Sequence, residues 1–273
     1  MALMDFAPAE KRFPALRADG LPRFLANVVE RFPADSSRPV WHSDWGWINY
    51  ETLTLAIAFE IGAARMLEVG GGRDPAFLTM APDLGLDLTI NDISADELAR
   101  LPSSTTTTCF DMAGDLSVRT ELHGAFDLLT SRMVFEHIPD VAAAWRNTHK
   151  LLRPGGVGVA FFPTMYAWPF VLNKLLPDDL AKRIVERFFP ARRADGDFPV
   201  FPAHYDWCYS SEKKLRRMLD PIGFSEVCIL PFWGHHYLDR FPVLREIETG
   251  ANWLASRLDW RFFTTYAYVI VRK

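Results

Sequence analysis

The residues of this chain best suited to chemistry stand in three short acidic or glycine-rich stretches. The first is Met66-Leu-Glu68-Val-Gly70-Gly71-Gly72-Arg73-Asp74-Pro75. Glycines after an apolar run let the backbone turn sharply and let a ligand approach with no Cβ in the way. The second is Asn91-Asp92-Ile93-Ser94, with Asp92 about twenty residues beyond the glycines, where an acid can accept hydrogen bonds from ribose hydroxyls. The third is Phe110-Asp111-Met112. Each has a plainer reading. The glycines can be a simple turn, Asp74 can cap a helix with Pro75 in its first position, and Asp92 can cap the next helix. Three successive strands ending in or near an acid on one sheet edge are more specific than any part. A dinucleotide site wants G-x-G-x-x-G with a pyrophosphate on the helix N-terminus. Here Pro75 takes the third position and Asp74 repels phosphate, so the pattern suits a cationic, phosphate-free ligand.

Proton transfer would fall to histidine. His137 follows the fourth apolar run; it can be a base, or a capping or positioning residue. His204-Tyr205-Asp206 sets a histidine beside an acid, although adjacency in sequence does not make a dyad. His235-His236, next to Trp233, can edge a site or simply turn the chain. With Asp239 they show no spacing that sets a ligand face, so no metal is expected.

The elements that position these residues follow from hydrophobic rhythm. Short apolar runs at Met66–Val69, Leu88–Ile90, Thr106–Phe110, Phe126–Thr130 and Val157–Phe162 alternate with helical patterns at Pro75–Leu84, Ser94–Leu101 and Val141–Leu152. Such alternation predicts an α/β fold, a doubly wound, mostly parallel sheet that binds ligands at the carboxyl ends of its strands. A helix over Ser210–Leu219 and strands at Glu226–Pro231 and Tyr266–Val271 follow. Leu21–Phe32 and Thr54–Ile61 read as helices in an N-terminal segment.

At 273 residues the chain fits one domain. We expect residues 1–64 as a helical cap, 65–162 as a cofactor-binding core, 163–210 as a lid inserted after strand five, and 211–273 as the rest of the core sheet. The net charge of −4 argues against a general nucleic-acid binder. Cys109, Cys208 and Cys228 form no C-x-x-C and no disulfide framework, which suits a reducing cytoplasm. The N-terminus has no apolar region of a secretory signal. No charge interrupts Pro154 to Asn173, long enough to cross a bilayer, but its prolines favour a buried strand followed by a broken loop.

With these motifs in order, the chain resembles the class I S-adenosylmethionine-dependent methyltransferases of the small-molecule type, which have a Rossmann-like fold. Glu68-x-Gly70-x-Gly72 is similar to their first motif, Asn91 to Ser94 to their ribose-binding second, and Phe110-Asp111-Met112 to their adenine-contacting segment. The run Phe126 to Asp140, with Ser131, Glu136 and His137, resembles their fourth-strand motif, and Leu151 to Gly156 their turn into strand five. The resemblance implies a seven-stranded sheet with the last strand antiparallel. It also implies S-adenosylmethionine as cofactor, S-adenosylhomocysteine as product, and Glu68, Gly70, Gly71, Gly72, Asp92, Ile93, Asp111, Met112 and Ser131 as cofactor-binding residues. Asp74 departs from the family's third glycine, and residues 1–64 and 163–210 carry none of its motifs.

The expected activity is O-methylation of a small polar or saccharide-type acceptor, with His137 and His204 as candidate bases. The saccharide element comes from a similarity of 163–210 and the tail to methyltransferases of bacterial polysaccharide clusters. The alternative is a non-catalytic protein of this fold that binds a partner through an aromatic surface; a nicotinamide oxidoreductase is weaker, given Asp74 and Pro75. The chain has 21 Phe, 9 Trp and 7 Tyr. Over 65–160 only Phe77, Phe110, Phe126, Phe135 and Trp145 occur, so the surplus lies in the caps. Trp41, Trp45 and Tyr205 are candidate acceptor contacts, against the reading that they pack the caps. Lys182, Arg183, Arg187, Arg192 and Arg193, with Phe188 and Phe189, suggest a basic lid rim, membrane contact, or a solvated helix face.

Overall fold

The computed structural model describes residues 25, 27, 28, 39–165, 202–236 and 238–273. Seven strands form one sheet: β1 (Arg65–Val69), β2 (Asp87–Asp92), β3 (Thr106–Cys109), β4 (Phe126–Arg132), β5 (Leu152–Pro163), β6 (Glu226–Phe232) and β7 (Tyr266–Arg272). Their order is β3-β2-β1-β4-β5-β7-β6. β7 runs antiparallel to both neighbours, and the β1 to β5 pairings are parallel. The expected sheet and its antiparallel last strand are both present. The runs were legible because β1, β4, β5 and β7 are buried on both faces and so read as nearly continuous apolar sequence. Pro231 is tolerated in β6 because that strand is an edge.

Helices cover both faces. On one lie α1 (Ser43–Ile48), α2 (Tyr50–Glu60), α3 (Met80–Asp83) and α4 (Ala95–Leu98), whose apolar residues join one core with Met66, Leu128, Phe161 and Tyr268. The helical residues Leu25 and Val28 are buried in the same core. On the other face lie α5 (Val141–Leu151) and α6 (Glu212–Leu219), packed with Leu67, Leu129, Phe162 and Val269. Helix α7 (Pro242–Arg257) lies in the chain between β6 and β7.

Several boundaries differ from the sequence reading. The helix expected over Pro75–Leu84 covers only Met80–Asp83. Pro82 is the reason: a proline fits the first turn of a helix but clashes with a turn placed before it. The helix expected over Ser94–Leu101 spans Ala95–Leu98, with the Ser94 hydroxyl accepting from the Glu97 amide. α2 starts at Tyr50 rather than Thr54, and β5 already begins at Leu152. The uncharged stretch from Pro154 continues that strand as far as Pro163. Among the described residues no helix is long and apolar enough to cross a membrane. The basic rim from Lys182 to Arg193, with Phe188 and Phe189, lies outside the described residues, as does most of Leu21–Phe32.

Two devices hold the layers. Asp127, buried at the start of β4, accepts from the amides of Ala64 (2.8 Å) and Arg65 (2.7 Å) and pairs with Arg153. One carboxylate thus ties the entry of β1 to the entry of β5. Phe161 centres an aromatic cluster, its ring 4.6 Å from Tyr268, 5.1 Å from Trp47, 5.6 Å from Tyr266 and 6.2 Å from both Tyr50 and Phe232. Much of the aromatic surplus therefore welds α1 and α2 to the C-terminal strands. Truncating so central a ring leaves a cavity that rigid neighbours cannot fill. Phe161→Ala should lower the urea-unfolding free energy by about 3–5 kcal/mol with an unchanged denaturant slope; a loss under ~1 kcal/mol would deny the cluster that role.

Candidate active site

The strand order reverses between β1 and β4, which is where an open parallel sheet opens a crevice at its carboxyl edge. The chain leaves β1 through Gly70, at φ +72°, whose amide donates to Asn91 O at 2.8 Å. A Cβ on Gly70 would lie 2.3 Å from a Val134 methyl, so only glycine fits beneath the loop after β4. Gly72, at φ +50°, borders the Asp92 carboxylate: a Cβ there would stand 3.5 Å from its Oδ2. The other oxygen of Asp92 accepts from the Ser94 amide at 2.9 Å. Asn91 joins the ends of β2 and β3, donating to Phe110 O (3.3 Å) and accepting from the Phe110 amide (3.2 Å).

Glu68 occupies a different place from the glycines it precedes. Its carboxylate is buried and accepts from the amides of Ala76 (2.7 Å) and Phe77 (3.2 Å), holding the loop that follows the glycines. Burial pushes its pKa up to about 7, and the two amide hydrogen bonds oppose that rise. Ile93 and Asp111 are exposed on the strand edge, where Asp111 accepts from the Ala113 amide at 2.8 Å. The Met112 side chain is buried, and Asn147 donates to the carbonyls of Met112 and Gly114, both at 2.8 Å. Ser131 is buried at the end of β4, and its hydroxyl has no hydrogen-bond partner among the described residues.

The edge is acidic. Arg73, the cation of the glycine loop, is bound by Glu97, with Nε to Oε2 at 2.6 Å. The loop, with Asp74 in it and Asp92 at the end of β2 against Gly72, thus carries a cation already neutralised, a poor setting for a phosphate. Glycine backbone, an acid beside Gly72 and a buried hydroxyl on β4 without a partner among the described residues fit an adenosyl sulfonium.

On the far side of β4 the backbone is strained. Met133 has φ +59°, and its amide donates to Phe161 O at 2.8 Å. The next turn carries Glu136, which the sequence placed in the fourth-strand motif without a role of its own. It is buried, and neither carboxylate oxygen has a hydrogen-bond partner among the described residues. Burial pushes its pKa up to about 8. His137 Nε2 lies 3.7 Å from Glu136 Oε1, while Nδ1 lies 3.0 Å from Pro202 O. The amides of His204 (2.7 Å) and Tyr205 (3.1 Å) both donate to Glu136 O. The returning segment is thus strapped to the turn that bears Glu136 and His137, which brings His204, exposed, and Tyr205, at φ +57°, to the same rim.

The remaining candidates fall elsewhere. Trp45 is buried in the core, stacked on Phe232 at 5.9 Å, while Trp41 is half-buried against His42 at 5.5 Å. His236 bridges two acids, Nε2 to Asp44 at 2.5 Å and Nδ1 to Asp239 at 2.8 Å. Burial lowers its pKa, but the bonds to Asp239 and Asp44 outweigh it and raise the group overall. His235 Nε2 meets Glu248 at 2.6 Å. His236 thus clasps α1 to the segment after β6, and His235 ties that segment to α7 through Glu248. Among the described residues, no group of three or more His, Cys, Asp or Glu is disposed to hold a metal.

Comparison with known proteins agrees with this layout. A family model described as a methyltransferase domain matches residues 16–229. The demethylmenaquinone methyltransferase of Roseiflexus castenholzii is 25% identical over 149 residues, 52% of this chain and 60% of that protein. The ubiquinone biosynthesis O-methyltransferase of Xanthomonas euvesicatoria is 34% identical over 106 residues, 37% of this chain and 44% of that protein. The alignments thus span about half the length of these relatives. The methyltransferase domain of the citrinin polyketide synthase superposes with a TM-score of 0.51 at 14% identity, covering 85% of this chain and 53% of that one, which shows a shared fold. Family match, strand order and the glycine crevice at the switch point agree: the chain belongs to the methyltransferase domain family, with the Rossmann-like class I fold that takes S-adenosylmethionine as cofactor.

Proposed function

We propose that the protein transfers a methyl group to a hydroxyl of a small polar or saccharide-type acceptor. The observation that carries the reading is the crevice between β1 and β4. It is glycine-walled and acid-rimmed, and its loop cation is already bound by Glu97. When bound, S-adenosylmethionine supplies an activated methyl that a nucleophile takes by direct displacement. The chain's own task is to align the acceptor and keep competing water away. Asp92, beside Gly72, is suited to accept from ribose hydroxyls; Gly70, Gly71 and Ser131 line the strand ends. The likeness to an O-methyltransferase over part of the chain supports oxygen as the accepting atom.

A hydroxyl nucleophile must lose a proton. In the proposed assignment His137 takes it. Nδ1 faces a carbonyl, which can only accept, so Nδ1 carries the hydrogen and Nε2 keeps the lone pair. His204 is the second candidate, held at the same rim by its amide.

Three outcomes test these assignments. Asp92→Ala should weaken S-adenosylhomocysteine binding at least tenfold, about 1.4 kcal/mol, by calorimetry; unchanged affinity would sink the cofactor site. His137→Ala should cut turnover by ~10²–10⁴ with cofactor affinity intact; lost affinity would make the residue structural. The third concerns stability. Glu136, with a folded pKa of about 8, keeps its proton where the unfolded chain has lost it. Stability therefore falls as pH rises from the ordinary carboxylate range to about 8. Glu136→Gln should be the more stable protein at pH 9, by roughly 2–4 kcal/mol, with the gap closing toward pH 5. Parallel wild-type and variant profiles in thermal melts would refute the buried carboxylate.

A further inference from the structure

Helix α7 is amphipathic the wrong way round for a helix serving only its own domain. The side toward the body carries Glu248 and Asn252, half-buried, with Ala255 and Ser256, buried. Glu248 is engaged there by His235. The outward side carries Val243 (73% exposed), Ile247 (64%), Leu254 (44%) and, at the cap, Leu258 (50%), with Leu244 (49%) between the two sides. At about 100° per residue, Val243, Ile247, Ala251, Leu254 and Leu258 fall within an arc of roughly 80°. Their steps of four, four, three and four residues keep them on one side as in a helix-pairing seam, and a helix normally turns such a stripe inward.

We propose that this stripe is the contact face for a second copy of the chain, with the two α7 helices packed antiparallel. Two observations select that occupant. The midpoint of the stripe is Gly250-Ala251, and nothing lies within 4 Å of a Cβ built on Gly250. Two helices crossing at that point can approach closely, setting Val243 opposite Leu258 and Ile247 opposite Leu254 of the other copy. The second observation is charge. Glu246 and Arg257 project from one flank of the stripe, about 20° apart around the axis. Antiparallel pairing sets flank against like flank, so Glu246 of each copy meets Arg257 of the other. Among the described residues Glu246 pairs with its chain neighbour Arg245, at 2.8 Å, and Arg257 lies over its own Trp253 ring, 5.7 Å from the centroid. Both can rotate into the joint. The four charges of α7, Arg245, Glu246, Glu248 and Arg257, cancel, which favours a protein face over an anionic bilayer.

Sedimentation velocity of the full chain at 1–100 µM tests this. The wild type should form a concentration-dependent dimer, and Ile247→Glu should sediment as a monomer with an unchanged circular-dichroism melt. Because Ile247 is exposed, the substitution disturbs no core. Glu246→Arg and Arg257→Glu should each raise the dimer dissociation constant at least tenfold, and the double swap should restore it. A wild type that is monomeric throughout, or a dimer indifferent to Ile247→Glu, would overturn the proposal. So would a monomer that pellets with phosphatidylcholine–phosphatidylglycerol vesicles and loses this with Ile247→Glu, which would assign the face to lipid.

Discussion

The close approach of Gly70 to Val134 governs the crevice. No other residue type fits there, since the first side-chain carbon would lie 2.3 Å from a valine methyl. The constraint brings the exits of β1 and β4 together where the strand order reverses. From that point the contacts run outward in both directions. Gly70 bonds to Asn91, and Asn91 clips Phe110, so the ends of β1, β2 and β3 are fixed in series. On the other side, Val134 leads directly into the turn of Glu136 and His137. A change at Gly70 would therefore reach the ends of β2 and β3 and the turn of Glu136 and His137 alike.

Buried charge does the work that regular structure does elsewhere. The loop after β1 forms no helix until Met80, yet it is held, because Glu68 takes two of its amides. Asp127 does the same for the chain entering β1. Both carboxylates are satisfied by backbone donors, which lets them stay buried at tolerable cost. Glu136 lacks such donors among the described residues, and its raised pKa is the physical expression of that difference. A fold that satisfies two buried acids and leaves a third unsatisfied beside a histidine concentrates its electrostatic strain at one place.

The strands and the acids that end them were legible in the sequence, because a strand buried on both faces leaves an unbroken apolar run. The order of Glu68, Gly70, Asp92 and Asp111 along the chain already mapped one edge of the sheet. What sequence could not supply was distance. Pro82 shortened the helix after β1, and the signal was present but read too generously. The turn of Glu136 and His137 is held by the segment from Pro202 to Tyr205, 65 residues further along the chain at the His137 contact, and local pattern carries no trace of that. Trp45 was an equally open case: an aromatic can face a ligand or a core, and only its stacking on Phe232 places it in the core. Helix α7 was not foreseen between the last two strands, although a proline at its start and an arginine in its last turn mark its ends; its outward apolar stripe shows only once its neighbours are in place.

The position of β7 bears on how such a chain is made. It enters between β5 and β6, so the strand translated after all the others pairs with both. While a ribosome is still adding residues 233–265, β6 has no partner and the edge of β5 beside Phe161 and Phe162 lies open. Vectorial synthesis thus delivers the crevice of β1 to β4 early and the seam that seals the aromatic core late. During that interval the nascent chain exposes an unpaired, strongly apolar strand edge, the kind of surface on which chaperones act and aggregates start.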